Sequence, residues 1–184
     1  MTTHSPKPPR PEAVTLDAGK TALLVLDLSE QLADPQEICS RLVPGITKFL
    51  DRARAAGVFI AFTISASLRG TPTGHVYSGF GRKPSEPVIY PDGFDKFTSG
   101  ELQGLLTERN LDTLIIAGYR SNISVLNTAT RATRELHYRV VIPVDGVVAL
   151  TEYEQEYTLF QFTVLPAGAA ERFTFSTLDT INFK

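Results

Sequence analysis

The sequence predicts an α/β fold: a single domain of three layers, α/β/α, around a mainly parallel sheet. Three observations predict it. Near-continuous apolar runs of strand length recur along the chain, as in strands buried on both faces. Segments with apolar residues at helical spacing separate them. The alternation of the two pattern types implies crossover connections that cover both faces of the sheet.

The elements follow in order. "TALLVLDL" (21–28) is the first buried strand, and "QEICSRLVPGITKFLDRARAAG" (36–57) is a helix with Leu42, Ile46, Phe49 and Leu50 on one side, stopping at Gly57. "VFIAFTIS" (58–65) is the second strand. Residues 66–95 carry glycines and prolines without a period and read as one long loop, with a short strand at "PVIY". Loops of that length in a domain of this size are more often functional than idle. "SGELQGLLTERN" (99–110) is a helix capped by Ser99, with Leu102, Leu105 and Leu106 inward. "LDTLIIAG" (111–118) is the third strand, "NISVLNTATRATRELHY" (122–138) a long helix and "RVVIPVDG" (139–146) the fourth strand. "EYEQEYTLFQFTVLP" is the last helix and "RFTFS" a closing short strand.

The length of 184 residues gives one full core and is short for two. Residues 1–16, rich in proline, form an extended or disordered arm, and residues 17–184 form the domain. A net charge of −2 argues against a nucleic-acid or membrane-surface partner, because either needs a basic face. The single cysteine, Cys39, excludes an internal disulfide and fits a reducing compartment, so cytoplasm is the expected location. Cys39 itself reads as core. No run approaches the roughly 20 apolar residues of a membrane span, and the start has no apolar run for a signal peptide. There is no phosphate-binding glycine loop and no His/Cys/Asp cluster at metal-ligand spacing, so neither a cofactor nor a metal is expected.

In sheets of this kind ligands bind at the carboxyl ends of the strands. That directs attention to Asp27, Ser65–Ser67, Gly118 to Ser124, and Asp145. Asp27 follows "LLVL", and a carboxylate against that apolar wall suits general acid or base work. The same residue could equally cap the turn that follows it. Lys96 lies between Phe94 and Phe97, could point inward, and could pair with Asp27; most lysines, however, are simply solvated. Ser124 falls in the first turn of a helix, where free N–H groups favour developing negative charge, yet serine there is also a common cap. "GYRSNIS" departs from the Gly-x-Ser-x-Gly elbow of α/β-hydrolases. His75, in "TPTGHVYSGF", is a loop residue that could touch substrate or simply stand in solvent.

Taken together these residues resemble the isochorismatase-like (cysteine hydrolase) superfamily, from about Lys20 to Phe183. "TALLVLDLSE" resembles the first-strand motif ending in the catalytic aspartate, and "FDKF" the segment with the catalytic lysine. "LIIAGYRSNISVLNTATRATRELHYRVVIPVDG" resembles the strand–glycine–loop–nucleophile-helix block, and "FTFSTLDTINF" the tail. The resemblance implies acid/base and charge-stabilising roles for Asp27 and Lys96, with Ser124 where most members have the nucleophilic cysteine. It also implies a cis peptide joining Tyr119 to Arg120 and an oxyanion hole formed by the N–H groups of Arg120 and Ser124. Tyr119, Arg120 and Asn122 would line the substrate site, Arg120 as a partner for a substrate carboxylate or instead as a surface contact.

Three departures bear on the chemistry. Cysteine is absent at position 124, "FTISAS" lacks the acidic and histidine residues of the nicotinamidase metal site, and "LSE" follows the aspartate. One branch of the superfamily hydrolyses a vinyl ether without any nucleophile. The expected protein is therefore a metal-independent hydrolase of a small molecule, cutting an amide or imide C–N bond or a vinyl ether; the alternative is a silent member that binds a ligand or partner through the same pocket. The resemblance further implies a homo-oligomer, dimer or tetramer, for which the aromatic helix "EYEQEYTLFQF" offers apolar surface.

Overall fold

The apolar runs become strands and the periodic segments become helices, as seen in a computed structural model that describes residues 7–184. After a three-residue strand β1 (Val14–Leu16), the first run forms β2 (Thr21–Leu26), and the second forms β3 (Phe59–Thr63). A two-residue β4 (Val88–Ile89) lies late in the long loop. The third and fourth runs form β5 (Thr113–Tyr119) and β6 (Arg139–Pro143), followed by β7 (Val147–Val148), β8 (Phe173–Ser176) and β9 (Ile181–Phe183). The helices are α1 (Val43–Ala55), α2 (Glu101–Glu108), α3 (Leu126–Arg134) and α4 (Glu152–Thr163).

Seven strands make one sheet in the order β4-β3-β2-β5-β6-β8, with β7 continuing the line of β6 against β5. Every pairing within it is parallel. The chain builds outward in opposite directions from β2 and β5, so the switch in strand order falls between those two. A crevice opens at their carboxyl ends for that reason.

Alternation along β2 divides the core. Leu23 and Val25 pack with Ile46, Phe49, Leu50 and Ala53 of α1 on one face, joined by Val76 and Phe80 from the long loop. Ala22, Leu24 and Leu26 pack on the other face with Leu102, Leu106, Ala129, Ala132, Leu159 and Phe162 of the remaining helices. Burying each large side chain contributes roughly 1.5–3 kcal/mol. The three-layer α/β/α architecture follows from these two cores.

Local boundaries differ from the sequence reading in three places. The first helix does not begin at residue 36: Ile38–Leu42 form a 3₁₀ turn, and α1 starts at Val43 because Pro44 fits a helix only in its first turn. Ser99 is not the cap of α2. That place is taken by Gly100 at φ 75, a left-handed conformation that glycine adopts without cost, while the Ser99 hydroxyl stands 3.4 Å from the Glu101 N–H. The helix read from 122 onward begins as a π-type turn over Ser121–Val125, a form common at functional positions.

Of the arm at 1–16, residues 1–6 lie outside the described residues. Val14–Leu16 pair in parallel with Ile181–Phe183, making a separate two-stranded ribbon. Further back, the Ser176 hydroxyl donates to the Glu12 carbonyl at 2.7 Å. Among the described residues no helix is long and apolar enough to cross a membrane.

Candidate active site

Backbone geometry brings the ends of β2 and β5 together. Gly118 sits at φ 135, and a Cβ there would lie 2.1 Å from the Leu26 carbonyl oxygen. Only glycine permits that approach. Asp27 extends the ladder by donating its N–H to Thr63 O at 2.8 Å, then turns out of the sheet at φ 56. The left-handed conformation is uncommon for a residue with a side chain, though aspartate tolerates it better than most. It aims the Asp27 carboxylate across the crevice instead of along a strand face.

Lys96 reaches the same place from the long loop. Its N–H donates to Thr128 Oγ1 at 3.1 Å, and its neighbour Asp95 accepts from Arg131 Nη1 at 2.8 Å. Both partners are on α3, so the segment is fastened before the side chain turns inward. Phe97 is buried and stacks on Tyr138 at 6.3 Å. Lys96 is 1% exposed. Its Nζ lies 2.8 Å from Asp27 Oδ2, an ion pair buried at the lysine end and partly open to the cavity at the aspartate.

Ser124 stands in the π-type turn and donates its hydroxyl to that same Asp27 Oδ2 at 2.5 Å. The turn is braced from within, since the N–H groups of Ile123 and Val125 both donate to Arg120 O. It is braced from outside by α4. Ser121 Oγ donates to Gln155 Oε1 at 2.8 Å, and Asn122 Nδ2 donates to Glu154 Oε1 at 3.1 Å. The peptide bond between Tyr119 and Arg120 is cis.

These groups face a cavity of about 450 Å³ at the carboxyl edge of the sheet. Asp27, Lys96, Tyr119, Arg120 and Ser124 line it, together with Ser29 and Gln31 beyond β2 and Ser65, Ser67 and Leu68 beyond β3. Asp92, Gly93 and Phe94 of the long loop complete the wall, and Phe94 is 64% exposed at the mouth. Burial pushes the Tyr119 phenol above its ordinary value, against the opposing charge of Arg120, so it stays a neutral donor near pH 7.

Other candidates are placed elsewhere. His75 is exposed and outside the cavity wall; its carbonyl accepts from the Glu30 N–H while the neighbouring Val76 bridges to Ser29 and turns inward. Asn122 faces Glu154 and not the cavity. Asp145 accepts from the Leu178 N–H at 2.8 Å and secures the tail. Cys39 is buried in the core, and burial pushes its thiol up, away from reactivity. Among the described residues no group of three His, Cys, Asp or Glu side chains is placed to hold a metal ion.

Sequence reading missed Ser29, Gln31 and Phe94 as wall residues and Glu154 and Gln155 as braces. Ser29 was within reach, two positions after Asp27. "TEYE" at 151–154 is a readable helix-start motif, but nothing in its spacing tells that Glu154 also grips another loop.

A parallel sheet with this switch point and an Asp–Lys pair beside the loop after β5 define a hydrolase of the isochorismatase type. The chain belongs to that family: residues 21–170 match the Isochorismatase domain. It is 27% identical over 166 residues to the uncharacterized isochorismatase family protein YwoC of Bacillus subtilis (strain 168), covering 79% of this chain and 87% of that protein. An isochorismatase-like hydrolase from Alkaliphilus metalliredigens superposes with a TM-score of 0.75 at 22% identity, over 87% of this chain and 95% of that one. The nicotinamidase SaPncA from Staphylococcus aureus gives 0.73 at 23%, over 86% and 98%.

Proposed function

We propose that the protein hydrolyses a small molecule at an amide or imide C–N bond or a vinyl ether, with Asp27, Lys96 and Ser124 as its working groups. One observation carries the reading: a single oxygen, Asp27 Oδ2, is met by both Lys96 Nζ and Ser124 Oγ at the wall of the cavity. Asp27 is placed to take the Ser124 proton as the hydroxyl attacks a carbonyl carbon, and to return it to the leaving nitrogen. The acyl group on Ser124 is then released by water as an acid, with Asp27 taking the water proton and returning it to Ser124 Oγ as the ester bond breaks. Lys96 holds the carboxylate in place and balances its charge throughout. The N–H groups of Arg120 and Ser124 are the donors for the oxyanion. The fold shared with a nicotinamidase makes amides the first bonds to test.

A second reading rests on the same hydrogen bond. A serine hydroxyl ionises far less readily than a thiol, and the carboxylate that would act as its base is already engaged by an ammonium. On that reading the cavity binds its ligand without turnover.

A hydrolysis screen over amides, imides, ureas and vinyl ethers separates the two, run beside Ser124→Ala, Ser124→Cys and Asp27→Asn. Turnover by the native chain that both Ser124→Ala and Asp27→Asn abolish supports the serine mechanism. Turnover that survives Ser124→Ala but not Asp27→Asn makes Ser124 a positioning hydroxyl. No turnover except in Ser124→Cys, or none in any variant, overturns the hydrolytic reading of the native chain.

A further inference from the structure

The Arg120 side chain is only loosely held by its own protein. Its nearest carboxylate is Glu154, with Nη2 to Oε1 at 3.7 Å, beyond hydrogen-bond length. Glu154 is committed elsewhere: Oε1 accepts from Asn122 Nδ2, and Oε2 accepts from the Thr151 N–H at 2.9 Å and its hydroxyl at 3.1 Å. The Arg120 Nε is buried and has no partner among the described residues. A guanidinium carries five N–H donors in a planar fork. Leaving a buried one unmade costs about 1–3 kcal/mol, so the arrangement is complete only when something else supplies acceptors.

We propose that Arg120 is a carboxylate-binding subsite of the cavity, and that the substrate or ligand is a small monoanion with an apolar body. The charge balance selects a monoanion. Lys96 and Asp27 neutralise each other in direct contact, which leaves Arg120 as the cation of the wall with capacity to spare. One cation, paired with Glu154 only at 3.7 Å, suits one carboxylate better than a phosphate dianion. The Arg120 side chain is 31% exposed, and the N–H groups of that exposed part are the donors for a carboxylate. Asp92, the remaining acid of the wall, is exposed, and its repulsion is screened by solvent and salt. Ile64, Leu68, Phe94 and Ile123 offer the apolar surface for the rest of the molecule. The proposal shares with the hydrolase reading only the premise that this cavity is the ligand site.

The test compares benzoate with acetophenone, a neutral analogue of similar shape that a hydrolase cannot cleave. Both are titrated by NMR into the native protein, Arg120→Gln and Arg120→Lys, with folding checked by circular dichroism. Benzoate should bind the native chain at least about tenfold more tightly than acetophenone. Arg120→Gln should erase that preference while leaving acetophenone affinity in place, and Arg120→Lys, which keeps the charge but loses the fork, should retain part of it. Equal affinity for the two probes in the native protein overturns the proposal. So does a benzoate preference that persists in Arg120→Gln. Should Arg120→Gln fail to fold, the native comparison and Arg120→Lys decide. An Arg120-dependent preference without turnover of any substrate leaves the subsite standing and removes the hydrolase reading.

Discussion

At Asp27 one carboxylate oxygen serves an ammonium and a hydroxyl together, and the side chain on the other end of the ion pair is almost wholly buried. Removing one member of a buried pair leaves an uncompensated charge, which is worse than removing both. Asp27→Asn should therefore lower stability by about 2 kcal/mol, on the low side because the Asp27 side chain keeps some exposure. The double variant Asp27→Asn/Lys96→Met should recover most of that loss. Urea denaturation of the three proteins checks this, and a single variant as stable as the native chain would show that water already answers Lys96. Asp27 and Ser124 were readable as candidates because strand ends are where chemistry collects; Lys96 gave only a weak signal, since of its aromatic neighbours Phe97 is buried and Phe94 is exposed. The family resemblance joined the three. Arg120 was readable as a wall residue, but its loose pairing was not, since Glu154 lies 34 positions away in the chain and its other commitments are tertiary.

The first turn of α4 is both a cap and a clamp. Thr151 and Glu154 cap each other's N–H groups, while Glu154 and Gln155 hold Asn122 and Ser121 beside Ser124. Thr151→Ala should cost about 1 kcal/mol and speed amide hydrogen exchange over residues 120–125; faster exchange confined to α4 would mean the two tasks are independent. A second element is tied by charge. Glu86 in the long loop takes two bonds from Arg54 of α1, at 2.8 and 3.0 Å, and one from the Lys83 N–H. Burial alone would raise its carboxyl, but the Arg54 guanidinium and that N–H outweigh burial and hold it below the usual range. A carboxyl lowered on folding stabilises at pH above its unfolded value of about 4.3, and the gain is lost as pH falls through the folded value. Glu86→Gln should thus be less stable than the native chain at pH 7, with the gap closing below about pH 4. Thermal melts at several pH values check it, and a gap that stays constant would place the effect in packing. The long buried strands were legible because five to seven apolar residues exceed any turn. β1, β4, β7 and β9 have two or three residues each, too few to show a period, and only β4 was anticipated, from its apolar dipeptide.

For the described residues as a whole, Val14–Leu16 and Ile181–Phe183 are tied together on the α1 side. Val14 and Leu16 pack on that core beside Phe183, the Ala18 N–H donates to Lys184 O, and the Lys184 N–H donates to Leu16 O. None of these residues lines the cavity. Deleting residues 1–16 should lower the melting temperature by several degrees while leaving ligand affinity unchanged, measured by calorimetry and by the benzoate titration; a loss of affinity would show that the ribbon reaches the site. The close contact of Gly118 with Leu26 has a consequence of another kind. The distance between the aspartate and the nucleophile position is set by two main chains that touch, and the side chain at 124 plays no part in setting it. Exchanging oxygen for sulfur at that position therefore leaves the two main chains in place, and the longer bond and larger atom are absorbed by the side chains of 124 and Asp27, now 2.5 Å apart. Serine and cysteine codons can differ by one base, so a lineage can cross between the two chemistries in a single step, in either direction, without passing through an unfolded ancestor.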